Sequence, residues 1–265
     1  MGFPEIFPHR FKKRSGMKST YLLIDFFSVL VPFIFSFHPG LKFYKNWPAL
    51  FPAMFFTGLI FITWDIHFTR LKIWGFNPAY LTGAYIAGLP WEEVFFFLCI
   101  PYSCLFTYAC LNLIIKKTLS GRTQLIISSL LIAVSLFMAI RFQALHYTSY
   151  TFALLAILVF AAQFVFKADW LSRFYITYML LLLPFLIVNG LLTGTGLASP
   201  VVWYNPVHIV GLRILTIPFE DIFYGMDLIL LNVLIYSGLR ARIYRQQKKH
   251  RKANHQTYTN AKLIS

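Results

Sequence analysis

Seven apolar stretches divide the chain: residues 21–37, 48–66, 79–115, 123–140, 149–166, 171–192 and 207–238. Each has about the length, or more, that a bilayer-spanning helix requires. Polar and basic positions separate them in short runs. The pattern predicts an all-α integral membrane protein with seven transmembrane helices. No small-x-small cleavage signal follows the first stretch, so it reads as a mature helix rather than a signal peptide. The third and seventh stretches exceed what one crossing needs, and tilting, kinking or protrusion is expected there.

Composition supports a membrane class and narrows the chemistry. Of 265 residues, 58% are hydrophobic and 12% charged, about half the charged share of a soluble domain. There are 24 Lys+Arg against 9 Asp+Glu, a formal charge of +15. More than half of the basic residues lie in the tails, 1–20 and 239–265. That distribution suits lipid headgroups; a nucleic-acid binder would spread them over a folded face. The positive-inside rule leans towards a cytoplasmic C-terminus, and a bacterial inner membrane is the expected location. Cys99, Cys104 and Cys110 share one stretch, lack metal or redox spacing, and read as small buried apolar residues. There is no histidine cluster for a diiron site, no Asp-rich Mg²⁺ motif, no phosphate loop and no dinucleotide fingerprint. No metal and no cofactor is expected.

An internal repeat organises the seven stretches. Asn77-Pro78 opens NPAYLTGAYIAGLPWEEVFF, and Asn205-Pro206 opens NPVHIVGLRILTIPFEDIFY, 128 residues later. Seven of the 20 aligned positions are identical. The same offset carries 21–37 onto 149–165 and 48–66 onto 176–194. The expected architecture is therefore 3+1+3: a first repeat over 21–115, a linking helix over 123–140 and a second repeat over 149–238. An odd linker makes the repeats parallel, with a site near the midplane at their interface.

Ionisable residues within a span cost roughly 2.5–3.5 kcal/mol each on insertion scales. This chain places two adjacent pairs there, Glu92-Glu93 and Glu220-Asp221. Read as long helices, the stretches put each pair about 20 Å along, near mid-bilayer. Pro90 and Pro218 precede the pairs by two residues, and each is expected to kink its helix and free a carbonyl. A carboxyl in such surroundings is expected to keep its proton, because desolvation penalises the anion. Trp91, Phe95, Phe96, Phe219, Phe223 and Tyr224 surround the pairs in sequence. Their faces could stabilise a cation; plain core or lipid-facing packing is the competing reading. Arg213, Glu220 and Asp227 fall seven residues apart and would share one helical stripe, with Arg213 as an ion-pair partner. Asp25 and Asp65 are weaker candidates, Asp65 reading as a surface or capping residue. A buried proton donor in an aromatic cavity suits acid-initiated carbocation chemistry on a hydrocarbon. A proton-coupled small-solute carrier and a non-catalytic membrane protein that binds such a hydrocarbon are the rival readings.

The runs LPWEEVFFFLCIPYSCLFTYACLN and IPFEDIFYGMDLILLN resemble the membrane-bound lycopene cyclase family, with both of its domains fused in one chain. The family's hallmark is Pro-x-Glu-(Glu/Asp) in each domain, here Pro90-Trp91-Glu92-Glu93 and Pro218-Phe219-Glu220-Asp221. The resemblance implies an isomerase (intramolecular lyase), a lycopene β-cyclase that closes the ψ-ends of a linear carotenoid without net redox change and without FAD. It implies that one of Glu92, Glu93 and Glu220 donates the proton, and that a second carboxylate such as Asp221 stabilises the cation or takes the final proton. Membrane lipid and other enzymes of carotenoid synthesis are the further expected partners.

Overall fold

The computed structural model describes residues 17–115 and 118–264. Most of the basic N-terminal tail therefore lies outside the described residues. Seven α-helices occur among them: α1 (Thr20–Phe35), α2 (Trp47–Arg70), α3 (Trp91–Ile114), α4 (Gly121–Arg141), α5 (His146–Phe160), α6 (Leu171–Leu192) and α7 (Phe219–Ile264). Six helical segments are long and apolar enough to cross a membrane, α5 counting with the π turn Ala161–Val165 that extends it; α1, at 16 residues, is shorter. Aromatic and aliphatic side chains of α2, α3, α5, α6 and α7 form the largest core cluster. Many apolar residues face outwards, including Phe27, Phe55, Phe137 and Leu183, as a lipid-contacting surface requires. The chain is a multi-pass membrane protein.

Two of the long stretches are corrected. Residues 79–115 and 207–238 are not single helices, because α3 starts at Trp91 and α7 at Phe219. The preceding segments form matching hairpins, β2 (Tyr85–Ile86) with β3 (Leu89–Pro90), and β5 (Arg213–Ile214) with β6 (Ile217–Pro218). The reason is local. Ala87 and Gly88 both have positive φ, 52° and 92°, as the central pair of a type I′ turn does. Pro90 follows as the N-cap of α3. Trp91 N–H donates to Ala84 O at 3.1 Å, and Phe219 N–H donates to Leu212 O at 2.9 Å. The prolines thus start helices rather than kink them, and the carboxyl pairs sit in first turns, at the ends of the spans. At the other end of the chain, α7 runs on through the basic segment to Ile264. No Gly or Pro follows Gly238, and Arg, Lys, Gln and Ala are good helix formers.

The two halves meet in a short antiparallel ribbon. Strand β1 (Trp74–Phe76) pairs with β4 (Val202–Tyr204), with Gly75 opposite Trp203. These two occupy the same place in the 128-residue repeat, so a local two-fold axis passes between them. Flanking bonds obey it: Asn205 N–H donates to Ile73 O and Asn77 N–H to Val201 O, both at 2.8 Å. Each Asn also caps a 3₁₀ turn, Asn77 Oδ1 accepting from Ala79 N–H at 3.1 Å and Asn205 Oδ1 from Val207 N–H at 3.2 Å. Asn77 Nδ2 donates further to Ser199 Oγ and Pro200 O, whereas Asn205 Nδ2 donates to Lys72 O. Each hydrogen bond contributes about 0.5–1.5 kcal/mol net, and Asn77 is buried. Asn77→Ala is therefore expected to lower the thermal unfolding temperature of the detergent-solubilised protein more than Asn205→Ala does. Equal shifts would contradict this.

Gly75 is required by its partner. A Cβ there would sit 2.3 Å from Cζ2 of the Trp203 ring, and that ring is held opposite by the ladder. Gly75→Ala is expected to cost about 1–3 kcal/mol by overpacking. It would show as an earlier unfolding midpoint, with a double Gly75→Ala/Trp203→Phe variant recovering part of the loss.

Candidate active site

The two members of each carboxyl pair do different things. Glu92 Oε1 accepts from both the N–H and the Oγ1 of Thr82, at 2.7 Å each. Glu220 Oε1 accepts from Val210 N–H at 2.7 Å and from Thr148 Oγ1 at 2.6 Å. Thr82 and Val210 correspond in the repeat; where valine lacks a hydroxyl, Thr148 of α5 supplies it. Each first carboxyl therefore ties the hairpin loop back onto the first helical turn, where a negative group also complements the helix dipole. Both are fully buried and neither reaches the central cavity.

The second members do reach it. An adjacent residue on a helix turns by about 100°, and that rotation carries Glu93 and Asp221 onto the face lining a cavity of about 250 Å³. Tyr21 of α1 donates its hydroxyl to Glu93 Oε2. Asp221 Oδ1 accepts from Tyr147 Oη at 2.6 Å, and its Oδ2 accepts from Asn189 Nδ2 at 2.7 Å and Tyr204 Oη at 2.9 Å. Tyr204 stands outside the spans. Burial first, then the neighbouring Asp221 charge, pushes its hydroxyl well above the ordinary tyrosine range, so it stays a donor.

The ribbon roofs the cavity. Side chains alternate along a strand, so Trp74 and Phe76 of β1 and Val202 and Tyr204 of β4 point in, while Gly75 and Trp203 are absent from the lining. Trp74 lies 5.1 Å from the Tyr147 ring and 6.0 Å from Tyr224, centroid to centroid. Tyr147 stacks on Tyr204 at 5.7 Å. Below this aromatic cage the cavity continues between α1, α3, α6 and α7. Its lining on α3 runs from Glu93 to Thr107, about 21 Å of helix. Beyond the two acids and Asn189 its walls are mainly Phe, Leu, Ile, Val and Pro, with scattered Ser, Thr and Cys.

Of the six aromatic residues singled out in the sequence, Phe96 and Tyr224 line the cavity. The other four pack elsewhere: Trp91 donates its indole N–H to Thr82 Oγ1 at 2.6 Å and lies against Phe95. Phe219 and Phe223 pack on Phe152 of α5. Arg213 is a correction. It precedes α7, is exposed, and closes its own hairpin by donating Nη1 to Thr216 O at 2.5 Å. It shares no helical stripe with Glu220 and Asp227, because the helix begins six residues after it. Asp227 is on α7, fully buried, with no hydrogen-bond partner for either oxygen among the described residues, and the same holds for Asp25 on α1.

Asp65 is the second correction. It is neither at the surface nor a cap, being 1% exposed. Its Oδ1 accepts from Trp74 Nε1, and its Oδ2 has no hydrogen-bond partner among the described residues. Sequence reasoning also missed Tyr21, Trp74, Tyr147, Asn189 and Tyr204. One signal was available: the repeat extends upstream of its Asn-Pro, WGFNP against VWYNP, which marks the ribbon. Tyr21 and Tyr147 play matching parts on α1 and α5, yet they are 126 residues apart, not 128, and fall out of the alignment.

No curated protein and no solved structure matches the chain significantly. A family model described as lycopene cyclase matches residues 18–111 and 144–239. These two segments hold both Pro-x-Glu-(Glu/Asp) motifs, both strands of the ribbon, and every residue that lines the cavity. With most of the chain covered and its two acid-bearing halves matched separately, the protein belongs to the lycopene cyclase family.

Proposed function

We propose that the protein is a lycopene β-cyclase that closes the ψ-ends of a linear carotenoid by proton-initiated, redox-neutral isomerisation. The observation that carries this reading is two carboxyls, Glu93 and Asp221, opening into one aromatic-roofed apolar cavity from equivalent places in the two halves. We read those halves as parallel three-helix repeats linked by α4, a 3+1+3 plan supported by the symmetric β1–β4 pairing.

The chemistry follows from what each group can give. Glu93 transfers a proton to C2 of the end group, breaking the C1=C2 π bond and leaving a cation at C1. The C5=C6 pair attacks C1, forming the C1–C6 bond and moving the cation to C5. Loss of the C6 proton to Asp221 restores a C5=C6 double bond and yields the β-ring. Atoms and electrons balance: one proton has passed from Glu93 to Asp221, and its return through the cavity completes the cycle. The faces of Trp74, Tyr147, Tyr204 and Tyr224 stabilise the cation and keep water away from it. Asp221, holding three hydrogen-bond donors, is preorganised as an anion facing that charge. The apolar groove along α3 and α6 takes the polyene, whose length is close to the thickness of the bilayer core.

Expression in a lycopene-accumulating bacterial host tests the reading. Conversion of lycopene to γ- or β-carotene is expected. Unchanged lycopene, with the protein present in the membrane, would overturn it.

A further inference from the structure

A second pocket lies at the opposite end of the bundle from the acids. Tyr108 and Asn112 of α3, Trp170 and Arg173 at the start of α6, and Tyr236 and Arg240 of α7 border a volume of about 420 Å³. Asn112 and Arg240 each stand 21 residues beyond the first residue of their helix, roughly 31 Å along it. That distance matches the thickness of the hydrocarbon core. The pocket therefore sits at headgroup level, on the face away from the ribbon. The repeat builds part of it: Tyr108 and Tyr236 are 128 residues apart, and so are Asn112 and Arg240. The two halves meet here as they do at the ribbon, but at the second of these positions only the later half carries a charge.

Its chemistry is that of an anion site. Two arginines border the space, and no acidic side chain among the described residues lines it. Asp169, the acid next to Trp170 in sequence, is exposed and outside the lining. The Arg240 guanidinium carbon lies 6.0 Å from the centre of the Tyr236 ring, a cation–π approach. Tyr236 is 4% exposed, and its hydroxyl has no hydrogen-bond partner among the described residues. A buried hydroxyl is costly to leave unpaired, and a ligand oxygen in the pocket would complete it. The positive end of the α6 dipole adds to the field beside Arg173. Arginine's planar fork can pair with two phosphate oxygens at once, and Trp and Tyr favour the level where headgroups meet acyl chains. We infer that this pocket binds the phosphate of one anionic phospholipid, held by Arg173 and Arg240, with Tyr236 donating its hydroxyl to a phosphate oxygen. A lipid is the favoured source because the pocket stands at headgroup depth, where such lipid is concentrated. A headgroup seated there ties the start of α6 to α7, two helices that also wall the reaction cavity. The inference does not rest on which reaction runs in that cavity.

The purified protein, delipidated in a neutral detergent, is titrated with phosphatidylglycerol, with phosphatidylcholine and with inorganic phosphate while its thermal unfolding is followed. Phosphatidylglycerol is expected to raise the unfolding temperature saturably, at concentrations where the other two do not. Arg173→Gln and Arg240→Gln are each expected to raise the half-saturating concentration by about tenfold or more, the scale of one lost hydrogen bond to a charged group. Arg242→Gln, on α7 but outside the pocket, should leave it unchanged. If Arg240→Gln does not assemble, Arg173→Gln, whose side chain is exposed, carries the test. No saturable shift with phosphatidylglycerol, an equal shift with phosphatidylcholine, or the same loss in all three variants would overturn the inference. Stabilisation by inorganic phosphate in the same concentration range, lost in Arg173→Gln, would place a soluble phosphate compound in the pocket and overturn the lipid source.

Discussion

Glu93→Gln is expected to abolish ring formation while leaving the protein in the membrane, whereas Glu92→Gln should retain it. The two residues are neighbours in one motif, so the contrast is sharp. Glu93 faces the cavity and, in the proposed mechanism, holds the proton that begins the reaction; glutamine preserves its size but has no proton acidic enough to give to an alkene. General acid catalysis contributes about 10²–10⁴-fold where it assists a step, and here the proton starts the sequence. Ring formation should fall by about 10²-fold or more. Glu92 works through Oε1, which accepts from the N–H and hydroxyl of Thr82, and the glutamine oxygen can accept both bonds. Its other oxygen has no hydrogen-bond partner among the described residues, so little bonding is forfeited. Pigment analysis beside membrane-protein quantification checks both. Equal loss in the two variants would mean that the motif acts as a fold element and that the assignment of the acid is wrong.

The second large effect is expected of Asp221→Asn. Asp221 accepts three hydrogen bonds, from Tyr147, Asn189 and Tyr204, and asparagine replaces one accepting oxygen with a donating NH₂ group. The negative charge that the proposed mechanism aims at the developing cation disappears with it. Removing one preorganised electrostatic contact typically costs about 10²–10³ in rate. Product identity should change as well as rate. With the base gone, a cation at C1 or C5 survives long enough for adventitious water to capture it. The variant is expected to accumulate carotenoids heavier by one water, along with unreacted lycopene, on mass spectrometry of the pigments. Tyr204→Phe, which removes one of the three donors and leaves the charge, should show a smaller slowing without that diversion. A water adduct from Tyr204→Phe but none from Asp221→Asn would reverse the roles given to the two residues.

Much of this was legible along the chain. The apolar stretches located the helices, because crossing a bilayer demands length and continuous apolarity. The 128-residue repeat located both carboxyl pairs, because an acid costs too much in a span to recur there by accident. The hairpins before α3 and α7 look helical in the pattern because they are apolar, and apolarity does not separate a short buried turn from a helical end. That error placed Arg213 on a stripe it does not occupy and set the acids too deep.

What the linear pattern left open is which acid of each pair does chemistry. The neighbours in sequence are equivalent, and only the rotation of the first helical turn sends Glu92 and Glu220 to their loops and Glu93 and Asp221 to the cavity. Asp65, Tyr21, Tyr147, Asn189 and Tyr204 carry no motif. They join the site because helices from both halves converge beneath one ribbon, and hydrogen-bond reach depends on distance in space and not along the chain. Sequence determined that this is a membrane protein of two acid-bearing halves. Tertiary structure decided which acid of each pair lines the cavity, because only the rotation of the helical turn and the convergence of distant helices set that.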